Sequence, residues 1–210
     1  MTVRPIVYVV DDDMTVRQSI AYLLGVIDVD VRLYARPEEF LGDIQPGIPG
    51  CLLLDVRMPG MSGLELQDRL HALSLDIPII FLSGHGDIPM VVRTLQKGAI
   101  DFLQKPFNDQ QLLDRVQQAI EIDRVRRIER REEVTSLARY ELLTPREQKT
   151  LHLIIQGLTN KEMATEMGIS PKTIETHRAR IMEKMGADSL PGLMKRWQII
   201  ERALQRQQKP

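Results

Sequence analysis

Short apolar runs punctuate the first half of the chain: Ile6-Val7-Tyr8-Val9-Val10, Cys51-Leu52-Leu53-Leu54, Ile79-Ile80-Phe81-Leu82 and Phe102-Leu103. Runs of this length, flanked by helical patterns, read as buried parallel strands. A further strand, Val29 to Tyr34, precedes a short helix that Pro37 opens at a first-turn position. Between the strands, Val16, Ile20, Leu23, Leu24 and Ile27 recur with a helical period over Thr15 to Ile27. Helices are also predicted from about Leu64 to Leu73 and from Ile88 to about Lys97, the latter closed by Gly98. Asp101 then opens the fifth strand. Five strand-helix units with short loops predict a doubly wound α/β domain over residues 1–122.

A helix starts at Asp109, and neither Gly nor Pro interrupts the chain between Asn108 and Pro145. Leu112, Leu113, Val116 and Ile120 give it a sheet-facing side; beyond Ile122 charges dominate. Asp123 is spaced to pair with Arg127, and Glu129 with Arg126. Residues 123–139 therefore read either as a solvated helical linker or as a weak coiled coil. From 140 to 210 the pattern is all helical, with four helices. Thr144-Pro145-Arg146-Glu147 carries a capping box with Pro at the first position, and that helix ends at Gly157. A second helix runs from Thr159 to Met167, Gly168 to Pro171 makes a tight turn, and a third reaches about Met185. The fourth follows Ser189-Leu190-Pro191 and contains Trp197, read as a core residue.

Charge sharpens the division. Residues 1–120 hold ten Lys and Arg against sixteen Asp and Glu, whereas residues 140–210 hold twelve against eight. An acidic half and a basic half suggest two domains with different partners, the basic one facing nucleic acid. With 210 residues, 43% of them apolar, the chain is long enough for two folded domains. No apolar run approaches the roughly 20 residues that span a bilayer, and the start carries no signal-peptide pattern, so a cytoplasmic location is expected. The single cysteine, Cys51, excludes an internal disulfide and a thiolate metal cluster.

Chemistry concentrates just beyond the strands. Asp11, Asp12, Asp55, Ser83 and Lys105 each follow or close an apolar run, so an open parallel sheet would bring them to one rim, where such sheets bind ligands. Three carboxylates, a hydroxyl and an ammonium suit a divalent cation and a phosphoryl group. A carboxylate such as Asp55 can attack phosphorus, provided a cation held by Asp11, Asp12 and Asp55 offsets the charge. Lys105 supplies a point charge and Ser83 a donor, and a cis Pro106 would aim that ammonium back at the rim. Asp13 reads as the cap of the next helix.

Val9-Val10-Asp11-Asp12-Asp13, Leu54-Asp55-Val56-Arg57-Met58-Pro59-Gly60, Ser83-Gly84-His85 and Asp101-Phe102-Leu103-Gln104-Lys105-Pro106-Phe107 together resemble the receiver domain of two-component response regulators. The resemblance implies a five-stranded sheet in the order 2-1-3-4-5 and Asp55 as acceptor of a phosphoryl group from a sensor histidine kinase. It also implies Mg2+ (or Mn2+) on Asp12, Asp55 and the Arg57 carbonyl, with Asp11 acting through water. Ser83 and Phe102 match the family's switch pair; taken without the resemblance, Phe102 reads first as a core aromatic of the last strand. Arg57 and His85 flank the site and are candidates to tune water access.

The helix pair around Gly168 has helix-turn-helix spacing, which a generic helical hairpin shares. Leu143-Thr144-Pro145-Arg146-Glu147, Gly157 to Ala164 and Ile169 to His177 are similar to LuxR-type DNA-binding domains, and Lys184-Met185-Gly186-Ala187 to the FixJ branch of that family, which includes regulators of aromatic-hydrocarbon catabolism. By that resemblance the helix from Pro171 enters the major groove. Glu175, Thr176, Arg178 and Ala179 would face base edges, while Lys161, Lys172, Thr173, His177, Arg180 and Lys184 would hold phosphates. Glu175 either accepts from a cytosine amine or pairs with Arg178 or Arg180.

The whole reads as a non-enzymatic regulator that dimerises on phosphorylation, binds promoter DNA and meets RNA polymerase, with no membrane role. One rival is a phosphorylation-independent DNA-binding regulator. The other is an aspartyl phosphatase, whose Asp-x-Asp-x-Thr pattern is broken here by Asp55-Val56-Arg57.

Overall fold

A computed structural model describes residues 3–84 and 88–207. His85, Gly86 and Asp87, including the residue expected to tune water access, lie outside the described residues. The chain forms two compact units, residues 1–127 and 128–210.

In the first unit β1 (Ile6–Val10), β2 (Asp30–Tyr34), β3 (Gly50–Asp55), β4 (Ile79–Ser83) and β5 (Asp101–Gln104) build one parallel sheet in the order β2-β1-β3-β4-β5. Between them run α1 (Met14–Leu24), α2 (Pro37–Asp43), α3 (Gly63–Ala72) and α4 (Ile88–Gln96), and α5 (Asp109–Glu141) follows. The central strands β1, β3 and β4 are buried throughout. Because successive side chains point to opposite faces, each strand feeds two cores. Tyr8, Val10, Leu52, Leu54 and Phe81 meet Phe40 of α2 and Leu66 and Leu70 of α3. Val7, Val9, Leu53, Ile80 and Leu82 meet Ile20 and Leu24 of α1 and Leu112 and Val116 of α5 on the other face. Cys51 is buried in this second core, and burial raises its thiol pKa strongly.

Local signals set most boundaries. Asp13 caps α1 by accepting from Thr15 N and Val16 N. The helix stops at Leu24, short of the Ile27 that periodicity suggested, because Gly25 caps it. Ser62 and Glu65 form a capping box on α3 that periodicity alone did not single out.

α5 runs 33 residues without a break. Its start is held well past Ile122. Asp123, buried, accepts from Gly50 N at 2.9 Å and from Arg127 Nε at 2.6 Å, and Arg127 also reaches the Pro46 carbonyl. Arg126 pairs with Asp76 rather than with Glu129. The first unit thus takes up residues assigned above to the linker, because a buried carboxylate needs the backbone donor it finds at the head of β3.

In the second unit α6 (Pro145–Ile155), α7 (Asn160–Met167), α8 (Pro171–Met185) and α9 (Leu190–Gln207) enclose Leu151, Met163, Ile174, Ile181, Met185, Leu193, Trp197 and Ile200. Capping boxes at Thr144/Glu147 and Thr159/Glu162 start α6 and α7. The far end of α5 belongs here too: Ser136 is buried, Leu137 packs on the core, and Tyr140 lies 5.7 Å from the Trp197 ring. Among the described residues no helix is long and apolar enough to cross a membrane.

Candidate functional site

The strand register gathers the rim. Val10, Asp55 and Ser83 end β1, β3 and β4, and Asp11 and Lys105 stand one residue beyond β1 and β5. Lys105 Nζ lies 2.5 Å from Asp11 Oδ2 and 2.6 Å from Asp55 Oδ1, joining residues 94 and 50 positions apart in the chain. The Lys105–Pro106 bond is cis, and Lys105 N donates to the Ser83 carbonyl at 2.7 Å, which fixes where the lysine leaves the sheet. Asp11 is 1% exposed and Asp55 6%.

Each carboxylate is oriented by backbone. Arg57 N donates to Asp55 Oδ2 at 2.8 Å and Asp13 N to Asp11 Oδ1 at 3.0 Å. Two residues that sequence patterns did not reveal shape the same loops. Arg17 Nη1, on α1, donates to the Asp11 carbonyl at 2.5 Å. Gly63 begins α3 so close beneath the site that a Cβ there would lie 2.2 Å from the Asp55 carbonyl oxygen. That close approach left no signal in the sequence.

Burial pushes the Asp55 carboxyl above its usual range, Lys105 pulls it back, and Asp11 pushes it up again. For Lys105 burial works against the charge, but the hydrogen bonds to Asp11 and Asp55 outweigh it and hold the ammonium more firmly protonated. Two buried carboxylates share one ammonium, so the site takes a further positive charge favourably. The all-oxygen donor set fits a hard divalent ion. The expected ligands are only partly assembled. Asp11 and Asp55 converge, whereas Asp12 is exposed on the rim, and among the described residues no three acidic, His or Cys groups gather at metal spacing. Ser83 is buried at the rim. Phe102 is half-buried and packs on the first core, so it keeps part of the plain role of a core aromatic.

The basic unit places its candidates unevenly. Gly168, at a φ of 66°, turns α7 into α8, and Ser170 caps α8. Lys161, Lys172, Glu175, Thr176, Ala179 and Arg180 are exposed, and Thr173, His177 and Arg178 half-buried. Among the described residues Glu175 pairs with neither Arg178 nor Arg180, so its carboxylate stands open to solvent instead of orienting an arginine. His177 turns a buried, unpartnered Nδ1 inward. Lys184 departs from the phosphate-facing set: its ammonium bonds Glu147 at 2.6 Å and the Leu142 carbonyl at 3.1 Å, because the buried Glu147 needs a counter-charge.

The comparisons with known proteins follow the two units. Residues 7–117 match the response regulator receiver domain, and residues 141–196 match the luxR family of bacterial regulatory proteins. Nodulation protein W of Bradyrhizobium diazoefficiens is 44% identical across 91% of this chain and 85% of its own. The transcriptional regulatory protein FixJ of the same species is 41% identical across 93% and 95%. The solved structure of the response regulator StyR superposes with a TM-score of 0.83 at 44% identity, covering 95% of this chain and 99% of that one. Receiver rim, helix-turn-helix unit and these relatives together place the chain in the family of two-component response regulators that join a receiver to a LuxR-type DNA-binding domain.

Proposed function

We propose that Asp55 accepts a phosphoryl group from a sensor histidine kinase and that this drives the chain to dimerise and bind promoter DNA, activating transcription with RNA polymerase. The observation that carries the reading is the convergence of Asp11, Asp55 and Lys105 beyond the sheet. Asp55 Oδ attacks phosphorus, the bond from phosphorus to the donor nitrogen breaks, and an acyl phosphate forms. Lys105 turns from the carboxylates toward the new phosphoryl oxygens, and Ser83, at the end of the adjacent strand, is the nearby hydroxyl donor. Asp12, Asp55 and the Arg57 carbonyl, with Asp11 behind them, would hold Mg2+, which supplies charge neutralisation for an anion attacking an anion. Phe102 then repacks as Ser83 moves, a two-state element biased by charge.

Dimerisation is supported by α4, where Ile88, Val92 and Leu95 recur at helical spacing and are exposed. α8 reads the major groove with Glu175, Thr176, Arg178 and Ala179, while Lys161, Lys172, Thr173, His177 and Arg180 hold phosphates. Lys184 serves the fold. We place the receiver at residues 1–122 extended through Arg127, and the DNA-binding unit at 140–210 extended back to Ser136, in a cytoplasmic protein without turnover.

The test is sedimentation of the full-length chain in Mg2+, with and without beryllofluoride, beside Asp55→Asn. A monomer-to-dimer shift confined to the wild type is the expected result. An equal shift in both, or in neither, would overturn Asp55 as the input to dimerisation.

A further inference from the structure

The C-terminal end of α8 is gripped from three sides within the second unit. Arg139 Nη1, from the end of α5, donates to the Met185 carbonyl at 2.9 Å. Arg196 Nη2, from α9, donates to the Gly186 carbonyl at 3.1 Å. Lys184 is drawn to Glu147 on α6. Two guanidinium groups thus sit where the helix presents its unsatisfied carbonyls and the negative end of its dipole. Gly186 makes room for one of them. It ends α8 at a φ of 58°, and a Cβ there would fall 1.7 Å from Arg139 Nη1.

The other end of α8 has no such hold. Among the described residues, no ion pair or side-chain hydrogen bond ties residues 171–180 to another helix. Ser170 and Thr173 bond each other, and the Thr176 hydroxyl returns to the Lys172 carbonyl. Ile174 alone of the first turn is fully buried. The helix is fixed at Met185 and presents Lys172, Glu175, Thr176, Ala179 and Arg180 outward. From Met185 back to Glu175 is about 15 Å at 1.5 Å per residue, so a 10° tilt at the clamp displaces Glu175 by about 2.5 Å. That exceeds the tolerance of a hydrogen bond to a base edge.

We propose that Arg139 is a positioning residue for DNA recognition: from the end of α5 it sets the angle at which α8 offers its outer half. The residue lies outside the 141–196 stretch that matches the luxR-family domain, in a segment whose sequence reads as a charged linker. The inference rests on α8 being the helix that reads DNA. It requires Arg139 to act through α8, without touching the nucleic acid.

The experiment uses the full-length chain with beryllofluoride and Mg2+. A duplex enriched by the wild type from a random pool is compared with a scrambled duplex of the same composition, each titrated over a range of salt. Arg139→Ala is expected to lose at least tenfold affinity for the selected duplex and under twofold for the scrambled one, with an unchanged salt slope. Gly186→Ala, which displaces the same guanidinium, is expected to give the same pattern, and the double variant to lose less than the sum. Trp197 emission reports whether the unit is folded. Should Arg139→Ala unfold it, Arg139→Lys decides: a lysine keeps the charge for a phosphate contact, but its ammonium ends one bond short of the guanidinium nitrogen that reaches the Met185 carbonyl, so lost discrimination supports the proposal and full discrimination overturns it. A slope lower by about 0.9 would make Arg139 a phosphate contact. Equal losses on both duplexes would make it only a fold residue, and no loss an idle one; any of the three overturns the proposal. A wild type that enriches no duplex overturns the reading of α8 itself, and with it the role given to Arg139.

Discussion

Glu147 offers a stability test whose size and sign both come from the structure. It is buried, yet it stays ionised well below its ordinary range. Burial opposes the charge, but hydrogen bonds from Lys184 and from the Thr144 backbone and hydroxyl more than offset it and hold the carboxyl at about 2. The unfolded value is 4.5. A depression of that size corresponds to about 3 kcal/mol of folding stability at neutral pH. Because the folded pKa lies below the unfolded one, this contribution is complete above about pH 5 and fades as the pH falls from 4.5 toward 2. Glu147→Gln keeps an oxygen for the cap but removes the charge, and Lys184, 32% exposed, can turn to water. The loss should therefore be about 2–3 kcal/mol at pH 7. Trp197 is the only tryptophan in the chain and lies in the core of the second unit, so its emission follows urea unfolding of that unit in the full-length protein. With a urea dependence of roughly 1 kcal/mol/M, the midpoint should fall by about 2–3 M at pH 7, and the gap between the two proteins should narrow through pH 3 and close as the pH approaches 2. Other carboxylates titrate equally in both, so the difference isolates Glu147. A shift below about 0.5 M at pH 7, or a gap that does not narrow in acid, would refute the reasoning.

Gly63→Ala should push the Asp55 backbone out of place and slow phosphorylation by a small-molecule phosphodonor at least tenfold, measured by phosphoprotein gel, while Gly42→Ala on α2, with nothing near its Cβ position, should leave the rate within a few-fold. Lys172→Ala should lower the salt slope of DNA binding by about 0.9 without changing sequence preference. Glu175→Gln, removing an unpaired exposed carboxylate, should raise affinity for non-specific duplex in a fluorescence-anisotropy titration. A fragment beginning at residue 140 should melt several degrees below one beginning at 128, by calorimetry, since it lacks the buried Ser136, the packed Leu137 and Arg139.

Helix caps and strand ends are written locally in this chain. Asp13 needs only the amides of Thr15 and Val16, and Thr144 only Glu147, so both caps were legible in a few residues. The rim was legible because strands of similar phase in a parallel sheet must end on the same side. Asp11, Asp55, Ser83 and Lys105 were therefore neighbours once the five runs were strands.

Which charges meet was legible only within one turn of helix, as for Asp123 and Arg127. Asp123 and Arg139 look alike in sequence, two members of a charged helix, yet one satisfies Gly50 N and the other the Met185 carbonyl. Lys184 counted as an exposed cation until the fold brought Glu147, 37 residues earlier, against it. Gln67, on an ordinary helix, is fully buried and donates to the carbonyls of Thr94 and Lys97. Periodicity and capping record what a residue does within one turn or one strand, and these the chain alone determined. The partner of a buried polar group is set by how finished elements pack, where the cost of leaving it unpaired selects one geometry among many. That selection, which turned parts of an apparent linker into pieces of two folded units, belonged to the tertiary structure.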